Sequence, residues 1–205
     1  MKTRLLLVTM FSFAFISCNN VPPGIVKTKV AIQPFEDFPA DIIKEVQTGI
    51  DSMYDIESTI LPHIKLPQEA YYKPRNRYRA DSLIRFLKAE KPGQYNKILG
   101  LTTSDISTTK GGYEDFGIMG LGFQPGKSCV ASTYRVKRGA VSKQHLINRI
   151  RKVTIHELGH NFGLKHCTYD SKCLMQSAKG KVSTIDKAQE ILCQNCQRQI
   201  RPYLR

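Results

Sequence analysis

The sequence predicts an α/β fold: a compact domain on a mixed, twisted sheet with an antiparallel edge strand, a long helix late in the chain and a small cysteine-rich C-terminal part. Three observations lead there. Strand-like and helix-like hydrophobic patterns alternate as βαβαβ from residue 27 onward. A Pro-Gly-Lys turn separates two later strand candidates, FGIMGLGFQ and SCVASTYRVK, which suits antiparallel pairing. One helical pattern then runs from Ser142 to Phe162. At 205 residues the chain holds one domain with a sizeable core and is too short for two with a linker. With 41% hydrophobic and 23% charged residues and no internal repeat, it is neither a disordered nor a solenoid protein.

The elements follow in order. Lys2 and Arg4 precede a 12-residue apolar run, Leu5 to Ile16, too short for a stable membrane span, and F-I-S-C then resembles a bacterial lipobox. Residues 1–17 are therefore expected to be a lipoprotein signal peptide, Cys18 the lipidated membrane anchor, and residues 18–26, with Pro22, Pro23 and Gly24, a tether. This places the protein in the cell envelope, outside the cytoplasm. The domain is expected over residues 27–205. VKTKVAIQPF alternates as a first strand; Pro39 opens a helix in which Ile42, Ile43, Val46 and Ile50 recur at helical spacing. DIESTILPHIKLP reads as a second strand, RYRADSLIRFLKAE as a second helix with Leu83, Ile84 and Leu87 inward, and YNKILGLTTSDI as a third strand. FGIMGLGFQ, rich in glycine, suits a sheet edge. In the long helix Leu146, Ile150, Val153 and Leu158 can face the sheet. STIDKAQEILCQNCQRQI reads as one last helix with a Ser183 cap.

The long helix ends in HELGHNFGLKH, which holds three of the five histidines. Residues i and i+4 project side by side, so His156 and His160 can offer nitrogens to one cation, with Glu157 bordering the same face. Gly163 permits the positive φ that ends a helix, and His166 can return to the ion from another direction. Three protein ligands leave zinc an open position, which is the catalytic arrangement. A carboxylate is not needed to bind metal at position 157, whereas hydrolysis needs a base there, so Glu157 is the candidate general base.

HELGHNFGLKH followed by Met175 resembles the long zinc signature and Met-turn of the metzincin metallopeptidases. Read from His166 through Cys167, Cys173, Met175, Cys193 and Cys196, the pattern is similar to that of the archaemetzincins, with five residues between the first two cysteines where the family has four. The resemblance implies a metzincin-like domain, a catalytic zinc on His156, His160 and His166, a second, structural zinc on Cys167, Cys173, Cys193 and Cys196, and hence two Zn2+ per chain. Residues 167–205 would form the cysteine-rich zinc subdomain. Two disulfides are the competing chemistry for those four cysteines in an oxidising compartment. Cys129, on a strand candidate, reads as a buried inert thiol.

The expected function is that of a zinc-dependent metallopeptidase acting on peptide or protein substrates, with an extended substrate pairing along the glycine-rich edge. Without Lys2 and Arg4 the net charge is 29 − 17 = +12, and residues 71–92 alternate seven Lys or Arg with Tyr71, Tyr72, Tyr78 and Phe86. No nucleic-acid motif accompanies that charge, so an anionic membrane surface is the expected electrostatic partner and nucleic acid is not. A monomer is expected. The alternative is a non-catalytic zinc-binding envelope protein that holds an acidic partner on its basic face.

Overall fold

The computed structural model describes residues 27–204; the expected signal peptide, Cys18 and the expected tether lie outside them. The elements run β1 (Lys29–Pro34), α1 (Ala40–Tyr54), β2 (Glu57–Ile60), β3 (Tyr71–Tyr72), β4 (Arg77–Arg79), α2 (Ala80–Glu90), β5 (Lys97–Thr102), β6 (Ile106–Lys110), β7 (Tyr113–Ile118), β8 (Gly120–Gly122), β9 (Ser128–Ser132), α3 (Thr133–Val136), α4 (Lys143–Asn161), α5 (Val182–Lys187) and α6 (Gln194–Ile200). The main sheet has the order β2-β1-β5-β9-β8, parallel throughout except for β8, which pairs antiparallel with β9 at the edge. A mixed sheet with an antiparallel edge strand is the architecture the sequence predicts.

Its central strands are buried on both faces, as parallel strands covered by helices must be. Alternate residues divide between two apolar layers. Val30, Ile32, Leu99, Leu101, Cys129 and Ala131 join α1 and α4 on one face, whereas Ala31, Ile98 and Val130 join Leu83, Ile84 and Leu87 of α2 on the other. Cys129 is buried there as a free thiol. Ile150, Ile155 and Leu158 anchor α4, and each such side chain contributes roughly 1.5–3 kcal/mol by leaving water. Leu174, Met175, Ile185, Leu192, Cys196 and Ile200 belong to the same layer, so the cysteine segment packs on the body of the protein.

Four local expectations are corrected. Arg77–Arg79, read as the start of the second helix, is the strand β4, because Arg79 is extended and α2 starts after it. The FGIMGLGFQ stretch is split: Phe116 to Ile118 end β7, which pairs with β6 in a second sheet of order β3-β4-β6-β7, and only Gly120–Gly122 form the edge of the main sheet. Thr133–Val136 turn helical directly after β9, with Ser132 Oγ accepting from the Tyr134 amide at 3.0 Å. The last helix is two short ones. Ala188 is extended, and residues 188–193 run as a bridge in which Leu174 N bonds Ile191 O at 2.9 Å and Gln189 N bonds Lys172 O at 2.9 Å. Those tertiary bonds replace the helical ones, and Ser183 lies inside α5 rather than at its cap.

Candidate active site

The site is assembled on the last turns of α4, which are held from several sides. Ser142 caps the helix start, its Oγ accepting from the His145 amide at 3.0 Å. Tyr54, fully buried, donates its hydroxyl to the Ile155 carbonyl at 2.6 Å. At the other end Lys97 Nζ donates to the carbonyls of Asn161 and Gly126, both at 2.9 Å, beneath the Phe162 ring. A cation bonded to the last carbonyls is what a helix C-terminus favours. Asn161 Nδ2 donates to Phe123 O at 3.0 Å and Ser128 O at 2.9 Å, tying the helix end to the β8–β9 hairpin.

His156, His160 and His166 come together, with one ligand nitrogen of each within 4.8 Å of the others. His156 Nδ1 lies 2.9 Å from the Leu174 carbonyl and His160 Nδ1 2.7 Å from the Leu164 carbonyl. A carbonyl can only accept, so both Nδ1 atoms carry the proton and leave Nε2 as the free lone pair, the usual support of a metal-binding imidazole. Gly163 has φ +91°, which reverses the chain after α4 and delivers the exposed His166. Met175 packs against Gly159 of the same helix. A Cβ on Gly159 would come within 2.7 Å of Met175 Sδ and 2.9 Å of Tyr54 Oη, so a glycine is needed for the helix to sit on both. The three predicted histidines are therefore brought together, with Met175 packed against the helix that carries two of them.

Electrostatics keeps the imidazoles neutral. Burial, with His160 second, lowers the pKa of His156 to about 3, and burial lowers those of His160 and His166. Glu157 is buried against β8, and burial raises its pKa to about 8, partly opposed by the Gly122 amide. A Cβ on Gly120 would lie 2.6 Å from Glu157 Cγ and 2.8 Å from Oε1; one on Gly122 would lie 2.4 Å from the Glu157 carbonyl oxygen. The glycines of the edge strand thus admit the carboxylate and the helix backbone, a reason the sequence pattern did not disclose.

The four cysteines form the second constellation. Cys167 Sγ is 3.7 Å from Cys193 Sγ, and Cys173 Sγ is 3.8 Å from Cys196 Sγ. A disulfide needs about 2.05 Å. The edge of a tetrahedron with zinc–sulfur bonds of about 2.3 Å is about 3.8 Å, so the donor set fits zinc. The long Cys167–Cys173 loop closes on Asp170, which accepts from the Lys172 amide at 2.8 Å with its side chain and from the Cys173 amide at 3.1 Å with its carbonyl. Gln176 Nε2 donates to Cys167 O at 2.8 Å and Asp170 O at 2.7 Å, bracing the same loop.

Around the histidines opens a cleft of about 510 Å³, walled by β8, the β6–β7 hairpin and the segment from Gln176 to Ala188. The hairpin wall was not legible as such in the sequence. Arg135 holds it: its guanidinium forms a fork with Asp105 at 2.7 and 2.9 Å and lies across Gly117, where a Cβ would come within 1.9 Å.

The chain is similar to known proteins over nearly all of its described residues. The model of peptidase family M54 matches residues 28–202. The archaemetzincin of Natronomonas pharaonis is 35% identical over 178 residues, 83% of this chain and 98% of that protein, and that of Haloquadratum walsbyi is 34% identical over 176 residues, 82% of this chain and 97% of that one. Among solved structures, archaemetzincin from Methanopyrus kandleri superposes with a TM-score of 0.75 at 28% identity, covering 90% of this chain and 98% of that one. Archaemetzincin from Archaeoglobus fulgidus, complexed with malonate, gives 0.71 at 23% identity, covering 84% and 99%. On a family match that takes in both constellations and nearly the whole described domain, the chain belongs to peptidase family M54, the archaemetzincins, and is a zinc metallopeptidase.

Proposed function

We propose that the protein hydrolyses peptide bonds at His156, His160 and His166, that Glu157 is its general base, and that Cys167, Cys173, Cys193 and Cys196 hold a second, structural zinc. The observation that carries this is the convergence of three imidazole nitrogens within 4.8 Å, two of them with the opposite nitrogen tied to a carbonyl, beside a buried carboxylate in a cleft. When bound to the histidines, zinc supplies Lewis acidity, lowering the pKa of water and polarising a carbonyl. His156 and His160 orient the site through the Leu174 and Leu164 carbonyls. Glu157 takes the proton of the attacking water and returns one to the leaving amine; its dry setting against Gly120 raises its basicity, and the local positive charge of the metal would restore its ionised form. β8, an edge strand with Gly120 and Gly122, offers its backbone to an extended peptide.

The N-terminal sequence supports a lipoprotein anchored by Cys18 in the cell envelope, with the catalytic domain acting as a monomer. Elemental analysis of the purified mature protein together with a peptide-library digest tests the reading as a whole. Two zinc ions per chain and defined cleavage products are expected; a metal-loaded protein that leaves every peptide intact would refute it.

A further inference from the structure

The cleft is lined by five basic side chains, Lys110, Arg135, Arg138, Lys152 and Lys179, and by a single carboxylate, Glu157. Arg135 is taken by Asp105. The other four form no ion pair with any carboxylate among the described residues. Lys152 has the most constrained position. It stands four residues before His156 on α4, half-buried, and its ammonium donates to one partner, the Ile185 carbonyl at 3.1 Å. An ammonium has three donors, so two remain for a ligand.

The acid nearest in sequence on that wall, Asp186, is already engaged. Arg149 grips it with two bonds of 2.7 Å, and His145 Nε2 adds a third at 2.9 Å. The same guanidinium donates to the carbonyls of Val136 and Arg138 at 2.9 and 3.0 Å, which holds the Arg138 segment beside α4. Val153, Ile185 and Ala188 supply apolar walls to the same cleft. A cation beside low-dielectric walls and without a counter-charge attracts an anion more strongly than one in open water.

We propose that Lys152, assisted by Arg138, forms a subsite for a carboxylate of the substrate peptide, so that the protease selects acidic peptides near the scissile bond. The inference rests on the peptidase reading and deepens it. Four residues of helix separate Lys152 from His156 by about 6 Å along the axis, at 1.5 Å per residue. That is the span of about two extended residues, so the selected carboxylate belongs within two positions of the cut. An Asp or Glu side chain and a peptide's own C-terminus offer the same chemistry.

The test uses fluorescein-labelled peptides identical except for Glu or Gln at each of the two positions on either side of the cut, each with a free or an amidated C-terminus. With the zinc-loaded protein, kcat/KM should be roughly tenfold or more higher for Glu than Gln at one position, as expected for a charge-assisted bond. Lys152→Met should bring that ratio close to one, Lys152→Glu should invert it and Lys152→Arg should retain it; Arg138→Gln, on a separate segment, should lower it if the Lys152 variants fail to fold. The same peptides are titrated by fluorescence anisotropy onto zinc-loaded Glu157→Ala protein, so that selection is read without turnover. A dependence on the free C-terminus alone assigns the subsite to the terminal carboxylate. Selective binding without cleavage by the wild-type protein supports the subsite and removes the peptidase reading. Cleavage with equal kcat/KM for Glu and Gln, and for acid and amide, overturns the subsite and leaves the peptidase reading intact. Neither cleavage nor selective binding overturns both.

Discussion

His156 and His160 are suited to be ligands by what their other nitrogens do. The four-residue spacing that points both rings to one side was legible in HELGH; the carbonyls of Leu174 and Leu164 that set the tautomer were not, because one lies 18 residues away and is brought back only by the fold. The same burial has a pH consequence for the metal-free protein. Glu157, raised from 4.5 to about 8, binds more protons folded than unfolded between those values, so its contribution to stability is lost as pH rises through that window. His156, lowered from 6.5 to about 3, binds fewer protons folded, as His160 and His166 do, so their contribution is lost as pH falls below 6.5. Above 6.5 the glutamate acts alone, and below it the lowered histidines oppose it. The urea midpoint of chelator-treated protein should therefore peak between about pH 6 and 7, and Glu157→Gln should flatten the alkaline side. A midpoint rising steadily to pH 8.5 would contradict the assignment.

Among the elements, α1 was legible because Ile42, Ile43, Val46 and Ile50 recur at helical spacing, and the central strands because they are short apolar runs. α4 occupies Lys143–Asn161, with Ser142 and Phe162 as its caps, which are the ends of the predicted helix. The β6–β7 hairpin was not legible: ISTTK and YEDFGI are polar strands whose pairing is settled by Arg135, Asp105 and the neighbouring β4. The break between α5 and α6 was hidden for a related reason. Residues 188–193 keep a helix-like composition, and the cost of leaving the helix is offset by Glu190 pairing with Arg151, by Leu192 entering the core and by Cys193 reaching the cluster. That bridge links the cysteines to the third histidine. Cys167 follows His166 directly, and Cys167 N bonds Met175 O at 2.8 Å. Cys193→Ser should thus lower zinc content by one ion per chain and reduce peptide hydrolysis roughly tenfold, although no group touching substrate has changed. Unaltered zinc and activity would separate the cluster from the site.

At the scale of the whole molecule, one mixed sheet with a helix layer on each face places α4 beside its antiparallel edge strand, and that juxtaposition makes the cleft. Gly120 and Gly122 let the strand approach until Glu157 is dry, while the hairpin and the segment from Gln176 to Ala188 supply the remaining walls. The overall basic charge was plain from composition; its concentration around the histidines depends on which few acids are already paired, and only the folded chain reveals that. Glu157 is proposed to perform the proton transfer without holding the metal. The most direct measurement of that role is the zinc content and peptide-cleavage rate of Glu157→Ala beside wild type. Two zinc ions per chain with a rate lowered at least about 100-fold is the predicted result; undiminished cleavage by the variant would contradict it.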